Sequence, residues 1–247
     1  MRFVAGADEA GRGSLAGPLV AAAVLFDLEA VRPAQVRLLR RLNDSKQQTP
    51  ATRAELFPLI LRVAAKVSIV SRCAPGIDAR GLHVTNLQAL RDALNRVTCE
   101  GCISLSDGFA VPGIEGQRQA VVGGDARSAA IAAASVLAKE TRDRYMRRAD
   151  QTHPGWQFAQ HVGYGTPEHR EAILRLGVSP LHRLSFASAA YQQLALVPGE
   201  AGHEPEDPAS PWGGAAAGAV AAEEAACAGL AASVSPSEGP LQVVDAR

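Results

Sequence analysis

Short apolar runs alternate with polar segments along the first 190 residues, and their spacing predicts a mixed succession of strands and helices. Arg2–Ala7 reads as a strand. Pro18–Phe26 reads as a second one with no polar residue in it, the pattern of a strand buried on both faces. Between them, Asp8–Gly17 forms a Gly-rich loop. Thr49-Pro50 opens a helix running through Leu61, with Thr as the N-cap and Pro at the first helical position. Val63–Val70 alternates as a third strand. In Val84–Val97 the apolar residues Leu87, Leu90, Leu94 and Val97 recur at helical spacing. Ile103–Ser106 and Gln119–Val122 are short strands, each followed by a glycine-bearing turn. Arg127–Arg148 is a long helix whose first half (AAIAAASVLA) is small enough to pack very close to a sheet. Thr166-Pro167 caps a helix to about Leu176, and Ser185–Ala195 is a last one. Strands first, then strands alternating with helices, predict an α/β domain with a mixed sheet.

Beyond residue 197 the pattern stops. Of the 50 residues in 198–247, 21 are Ala or Gly and 6 are Pro, and Trp212 is the single aromatic. A segment with so little large apolar surface cannot offset the entropy of ordering it, so we expect a disordered acidic tail. The expected folded unit is residues 1–197. This split changes the meaning of the charge. The whole chain holds 25 bases and 25 acids, which taken alone argues against a polyanionic partner. The tail holds 8 acids and one base, Arg247, leaving the first 197 residues with 24 bases and 17 acids. The expected folded body is basic.

No apolar run reaches the length of a membrane span, and the N-terminus MRFVAGADEAGRG lacks the pattern of a signal peptide. A cytoplasmic protein with no membrane contact is the expectation. Cys99 and Cys102 have C-x-x-C spacing, but no second pair follows, as a structural zinc site would want. Reduced thiols are the better reading for these and for Cys73 and Cys227.

Chemistry is concentrated in acids at strand ends. Asp8 and Glu9 follow the first strand, Asp107 follows the strand 103–106, and Asp125 stands between the next strand and the long helix. Ligand sites in open α/β sheets gather at strand C-termini. Four acids brought together there would repel one another unless cations neutralised them or protons stayed on. All-oxygen donors select hard ions, Mg²⁺ or Mn²⁺. Two such ions roughly 3.5–4 Å apart would hold both the attacking water and the leaving oxygen of a phosphodiester. Taken singly, each acid is an ordinary solvated turn residue, and spacing alone does not make them meet.

The loop Gly11-Arg12-Gly13-Ser14-Leu15-Ala16-Gly17 invites a dinucleotide-binding reading. Its G-x-G-x-x-x-G spacing is one residue too long, and two acids stand where a pyrophosphate would be repelled. Such a loop could instead bring backbone N–H groups against a sugar or phosphate.

The run Gly6-Ala7-Asp8-Glu9-Ala10-Gly11-Arg12-Gly13 closely resembles the opening motif of bacterial type 2 ribonuclease H (ribonuclease HII). Further blocks follow in that family's order: Leu42-Asn43-Asp44-Ser45-Lys46, Ser106-Asp107-Gly108, Gly124-Asp125 with Ala132–Lys139 and Arg142-Asp143, His161–Thr166, and His182–Phe186. The resemblance covers about residues 3–190. It implies an RNase H-like fold, a five-stranded mixed sheet flanked by helices with a helical C-terminal part. It also implies hydrolysis of the RNA strand of RNA–DNA hybrids and cleavage 5′ of ribonucleotides embedded in duplex DNA, leaving 5′-phosphate and 3′-hydroxyl ends.

By position, Asp8, Glu9, Asp107 and Asp125 carry over as the catalytic acids holding two divalent ions, Mg²⁺ or Mn²⁺. Gly11, Arg12 and Gly13 carry over as the loop that senses the ribose 2′-OH, and Tyr164 as the ring that stacks on the sugar at the DNA side of the junction. Lys46, Lys139, Arg142 and Arg144 are candidate phosphate contacts, Asp143 is an acid outside the metal set, and the histidines are structural or substrate-edge residues. A monomer is expected. The alternative is type 3 ribonuclease H or another metal-dependent nuclease of the same fold. Three positions depart from the family pattern: Ser14 where Pro is frequent, Glu140 where an apolar residue is usual, and Gly81 in place of a polar residue.

Overall fold

The computed structural model describes residues 2–42, 49–186, 188, 191 and 192. Lys46 and the expected tail, 198–247, lie outside the described residues, as does most of the expected helix 185–195; within it, Ser185 and Phe186 are turn and bend, and Tyr191 and Gln192 are helical.

Five strands form one sheet in the order β3-β2-β1-β4-β5. They are β1 (Phe3–Ala10), β2 (Leu19–Asp27), β3 (Lys66–Arg72), β4 (Cys102–Asp107) and β5 (Gln117–Val121). β2 runs antiparallel to both β1 and β3, whereas β4 is parallel to β1 and β5 to β4. The sheet is mixed, as the pattern predicts. The helices are α1 (Pro33–Leu42), α2 (Pro50–Val63), α3 (Ala74–Arg80), α4 (Leu82–Val97), α5 (Ala129–Thr152), α6 (Phe158–His161) and α7 (Pro167–Leu176). Among the described residues no helix is long and apolar enough to cross a membrane.

Two apolar clusters sandwich the sheet. In β2, Val20, Ala22, Val24 and Phe26 face α5 and α2, while Leu19, Ala21, Ala23 and Leu25 face α4. The strand's lack of polar residues follows from this double burial. On the other side of β1, α5 lies against the strand with almost no intervening side chain. A Cβ at Gly6 would stand 2.3 Å from the backbone of Ala130 and of Ile131. The small residues of α5 and the glycine of β1 are therefore one adaptation, since a larger side chain on either would lift the helix away.

Helix ends follow local chemistry. Thr49 accepts from the Thr52 amide, and Thr166 accepts from the His169 amide, each ahead of a proline at the first helical position. Gly81 has a φ of +82° and ends α3 while starting α4. That backbone conformation suits glycine, the residue this chain carries there. Three helices escape the sequence pattern: α1, α3 and α6. α1 carries three arginines among its ten residues and buries Leu42 fully. α6 is a single turn.

β1 also differs from expectation. Pairing with β2 continues to Ala10–Val20, so Asp8 and Glu9 lie within the strand and do not follow it. Acids are rare inside strands, and sequence reasoning ends the strand before them. Here the ladder with β2 holds them in place.

Candidate active site

Because side chains alternate across a strand, Asp8 and Glu9 leave β1 on opposite faces. Asp8 is buried on the α5 face, close to Ser135 and Lys139 of that helix. Glu9 turns toward α4, where Asn86 Nδ2 donates to its Oε1 at 3.2 Å. The register Ala7–Ser106 brings Asp107, the last residue of β4, beside Asp8. Asp107 Oδ1 accepts from the Gly124 amide at 2.7 Å. Gly124 opens a 3-10 turn, Gly124–Ala126, that carries Asp125. Two crossings of the chain thus place three acids at one end of the central strands, with the fourth on the turn bonded to the third.

Electrostatics tie the first three together. Burial raises the pKa of Asp8, opposed by a Ser135 hydrogen bond and the Lys139 charge, with Asp107 raising it further. Burial and then the Asp8 charge push Glu9 up to about 7, and Asp107 adds to this. Its Oε2 is buried and has no hydrogen-bond partner. Among the described residues no three His, Cys, Asp or Glu side chains are arranged as a ready-made metal cage. The structure sets Asp107 beside Asp8 and bonds it to the turn carrying Asp125, with Glu9 on the opposite face of β1. The donor set nonetheless fits a hard cation. It is all oxygen, it is under mutual repulsion, and one carboxylate oxygen is orphaned.

The Gly-rich loop borders this notch. Arg12 Nη1 lies 3.6 Å from Glu9 Oε1, and its guanidinium sits over the Phe109 ring, 4.4 Å from the centroid. Two buried arginines hold the loop from beneath. Arg142 donates to Pro18 O, Ala16 O and Ser14 Oγ, and Arg183 donates to Gly17 O and Arg12 O. Arg142 is 1% exposed, so the expected phosphate contact is a correction: this side chain is spent on the backbone of the loop. Arg144 is likewise engaged, pairing with buried Glu140 at 2.8 Å and lying over Phe57. That pairing explains the unusual Glu140. Ser14, the third departure, is fully buried and donates to Gly11 O while accepting from Arg142. Asp143 is bonded to Arg53 at 2.7 Å, apart from the other acids.

Gly11 and Gly13 differ in kind. Gly11 has a φ of +89°, and a Cβ there would strike Arg142, so the fold itself demands glycine. At Gly13 a Cβ would meet nothing within 4 Å. Packing does not require that glycine, and the space above it is open to a ligand. Tyr164 stands nearby and is 42% exposed. Its neighbour Gly163 accepts from the amides of Leu15 and Ala16, which docks the tyrosine turn onto the loop. Lys139 bonds Ser135 at 2.7 Å.

Sequence reasoning missed Asn86, Ser135 and Arg183. Asn86 did leave a signal: it shares a helical face with Ala89, Leu90 and Ala93, where an amide is out of place unless it serves something. Arg183 falls in the block His182–Phe186, but its role is hidden because its partners are more than 160 residues away. Cys73, Cys99 and Cys102 form no disulfide among the described residues, and burial raises the Cys102 thiol. Cys99 and Cys102 line a cavity of about 910 Å³ at the start of β4, the end of the strand opposite Asp107.

The family model for ribonuclease HII matches residues 5–189. Ribonuclease HII of Rhodococcus erythropolis is 49% identical over 185 residues, covering 75% of this chain and 80% of that protein. Ribonuclease HII of Mycobacterium tuberculosis is 47% identical over 183 residues, covering 74% and 67% respectively. Among solved structures, ribonuclease H2 of Pyrococcus horikoshii aligns with a TM-score of 0.65 at 25% identity, covering 78% of this chain and 96% of that one. Bst-RNase HIII in complex with Mn²⁺ shares the fold at a TM-score of 0.58 and 20% identity, over 79% of this chain and 70% of that one. The chain belongs to the ribonuclease HII family and is a ribonuclease H.

Proposed function

We propose that this ribonuclease H cuts the RNA strand of RNA–DNA hybrids and the 5′ side of ribonucleotides embedded in duplex DNA. The products carry 5′-phosphate and 3′-hydroxyl ends. One observation carries the reading: Asp8 and Glu9, both pushed up by burial and by the nearby Asp107 charge, adjoin a loop whose Gly13 is open to a ligand.

Asp8, Glu9, Asp107 and Asp125 would hold two divalent ions, Mg²⁺ or Mn²⁺. Bound there, the ions supply Lewis acidity to the attacking water and the departing 3′-oxygen. The protein's own groups do the rest. Asn86 and Ser135 orient Glu9 and Asp8. Lys139 places a cation beside Asp8 and so favours its ionised, ligating form. The Gly11–Gly13 loop presents backbone to the ribose 2′-OH, the one group that separates RNA from DNA at a given nucleotide. Tyr164 offers a ring face to the neighbouring sugar. Lys46 and the basic body as a whole contribute phosphate contacts. The enzyme works as a cytoplasmic monomer on these nucleic acids.

The test is a duplex DNA with one ribonucleotide, incubated with Mg²⁺ or Mn²⁺ and mapped at nucleotide resolution. The reading expects a cut on the 5′ side of the ribonucleotide. Cleavage confined to long hybrids would overturn it.

A further inference from the structure

Three histidines away from the acids form one buried unit beneath the tyrosine turn. The rings of His161 and His169 stack at 4.1 Å, and His169 Nε2 lies 3.1 Å from His182 Nε2. Phe158 packs against all three rings. All three histidines are at most 7% exposed.

Their partners fix where the protons sit. The Ser179 amide, which can only donate, lies 2.8 Å from His182 Nδ1. That contact is shorter than the 3.3 Å to the Ser179 carbonyl, so Nδ1 accepts and the proton is on Nε2. His182 Nε2–H then donates to His169 Nε2. His169 must carry its proton on Nδ1, and that N–H donates to the Tyr164 carbonyl at 2.9 Å. His161 is set the same way: Nδ1 accepts from the Gly163 amide, and Nε2–H donates to Trp156 O at 2.7 Å. All three rings are neutral and each nitrogen has a fitting partner. Burial is the leading cause that keeps them so, lowering His169 to about 4 and His182 to about 3.

The chain of donors ends on Tyr164. The Tyr164 amide donates to His161 O at 2.9 Å, and the Tyr164 carbonyl accepts from both His169 and the Thr166 amide. Both peptide planes flanking Tyr164 are thereby fixed, and with them the direction in which its half-exposed ring leaves the backbone. A turn between two glycines would otherwise be free to pivot.

We propose that His169, oriented by His182, is a positioning residue for Tyr164, aiming its ring at the nucleic acid and so governing recognition of the ribonucleotide–deoxyribonucleotide junction. This rests on the functional reading above. It assigns the buried histidines a role in substrate selection, transmitted through one backbone carbonyl.

The experiment is a double-mutant cycle in the full chain on duplex DNA with one embedded ribonucleotide. The variants are His169→Leu, Tyr164→Ala and the pair. His169→Leu removes the donor and should raise KM roughly threefold to tenfold, the scale of one hydrogen bond, with kcat changed less than twofold. In the Tyr164→Ala background the same substitution should add nothing. His169→Asn, whose amide can stand in for Nδ1–H, should recover most of the KM. If His169→Leu does not fold, His169→Gln keeps a polar group toward His182 while withdrawing the donor from Tyr164, and replaces it in the cycle. Additive effects, or an equal fall in kcat with KM unmoved, overturn the proposal. A wild-type enzyme that ignores the embedded ribonucleotide fails the functional reading itself, and the proposal falls with it.

Discussion

Asp107 Oδ1 accepts a hydrogen bond from the Gly124 amide at 2.7 Å, fastening the end of β4 to the turn that carries Asp125. The two acids are 18 residues apart in sequence, and this bond is how the fold keeps them neighbours. A Cβ at Gly124 would stand 2.5 Å from Ile131 Cδ1 and 3.3 Å from Asp107 Oδ1. Gly124→Ala should therefore push the turn off α5 and shift Asp107. We expect a loss of stability of about 1–3 kcal/mol from overpacking, and a larger proportional loss of turnover, about tenfold or more. Urea melts and steady-state rates measure both. Unchanged turnover would separate this bond from catalysis.

Glu9 lies in a notch that favours its protonated form. In the metal-free fold its pKa is about 7, against an ordinary 4.5, with burial the main cause. The folded state therefore binds more protons than the unfolded state between these values, and stability falls as pH rises from about 4.5 through about 7. Glu9→Gln removes the charge and can keep the Asn86 contact. In chelator, the variant should match wild type near pH 4.5 and exceed it by on the order of 2 kcal/mol at pH 8. Adding Mn²⁺ should then stabilise wild type more than the variant. Melts at the two pH values decide it, and a gap that stays constant would contradict the electrostatic account.

The histidine unit has the opposite dependence. His169 and His182 are held neutral, at about 4 and about 3, whereas an unfolded histidine titrates near 6.5. Below about 6.5 the unfolded state takes up protons that the folded one refuses, so stability is lost as pH falls, by up to about 1.4 kcal/mol per pH unit for each histidine. The loss ends below the folded values. His182→Gln should flatten the slope between pH 6 and 4. An unchanged slope would assign acid lability to other groups.

Much of the fold is legible in the chain because its signals are local. The unbroken apolar run of β2, the Thr-Pro caps of α2 and α7, and the small residues of α5 each dictate their element from within a few residues. What escapes is set by partners distant in sequence. β1 runs through its two acids only because β2 pairs with it to Ala10. α1 is hidden by its arginines, although Leu42 is buried against the rest of the core. The positions of the acids at strand ends can be read from the sequence, but the opposite faces taken by Asp8 and Glu9 cannot, since they follow from the strand continuing past them. Arg142 reads as a surface cation on a helix. Its burial under the loop follows from carbonyls more than 120 residues away, turned inward by the fold.

The central claim is that the strand-end acids are a divalent-metal site for cutting at ribonucleotides. The most direct measurement compares wild type and Asp107→Asn on duplex DNA with a single embedded ribonucleotide in Mg²⁺, alongside binding to an RNA–DNA hybrid. Wild type should cut on the 5′ side, while Asp107→Asn should lose cleavage by about a thousandfold or more and retain hybrid affinity within a few fold. Comparable turnover in the two proteins would contradict the account.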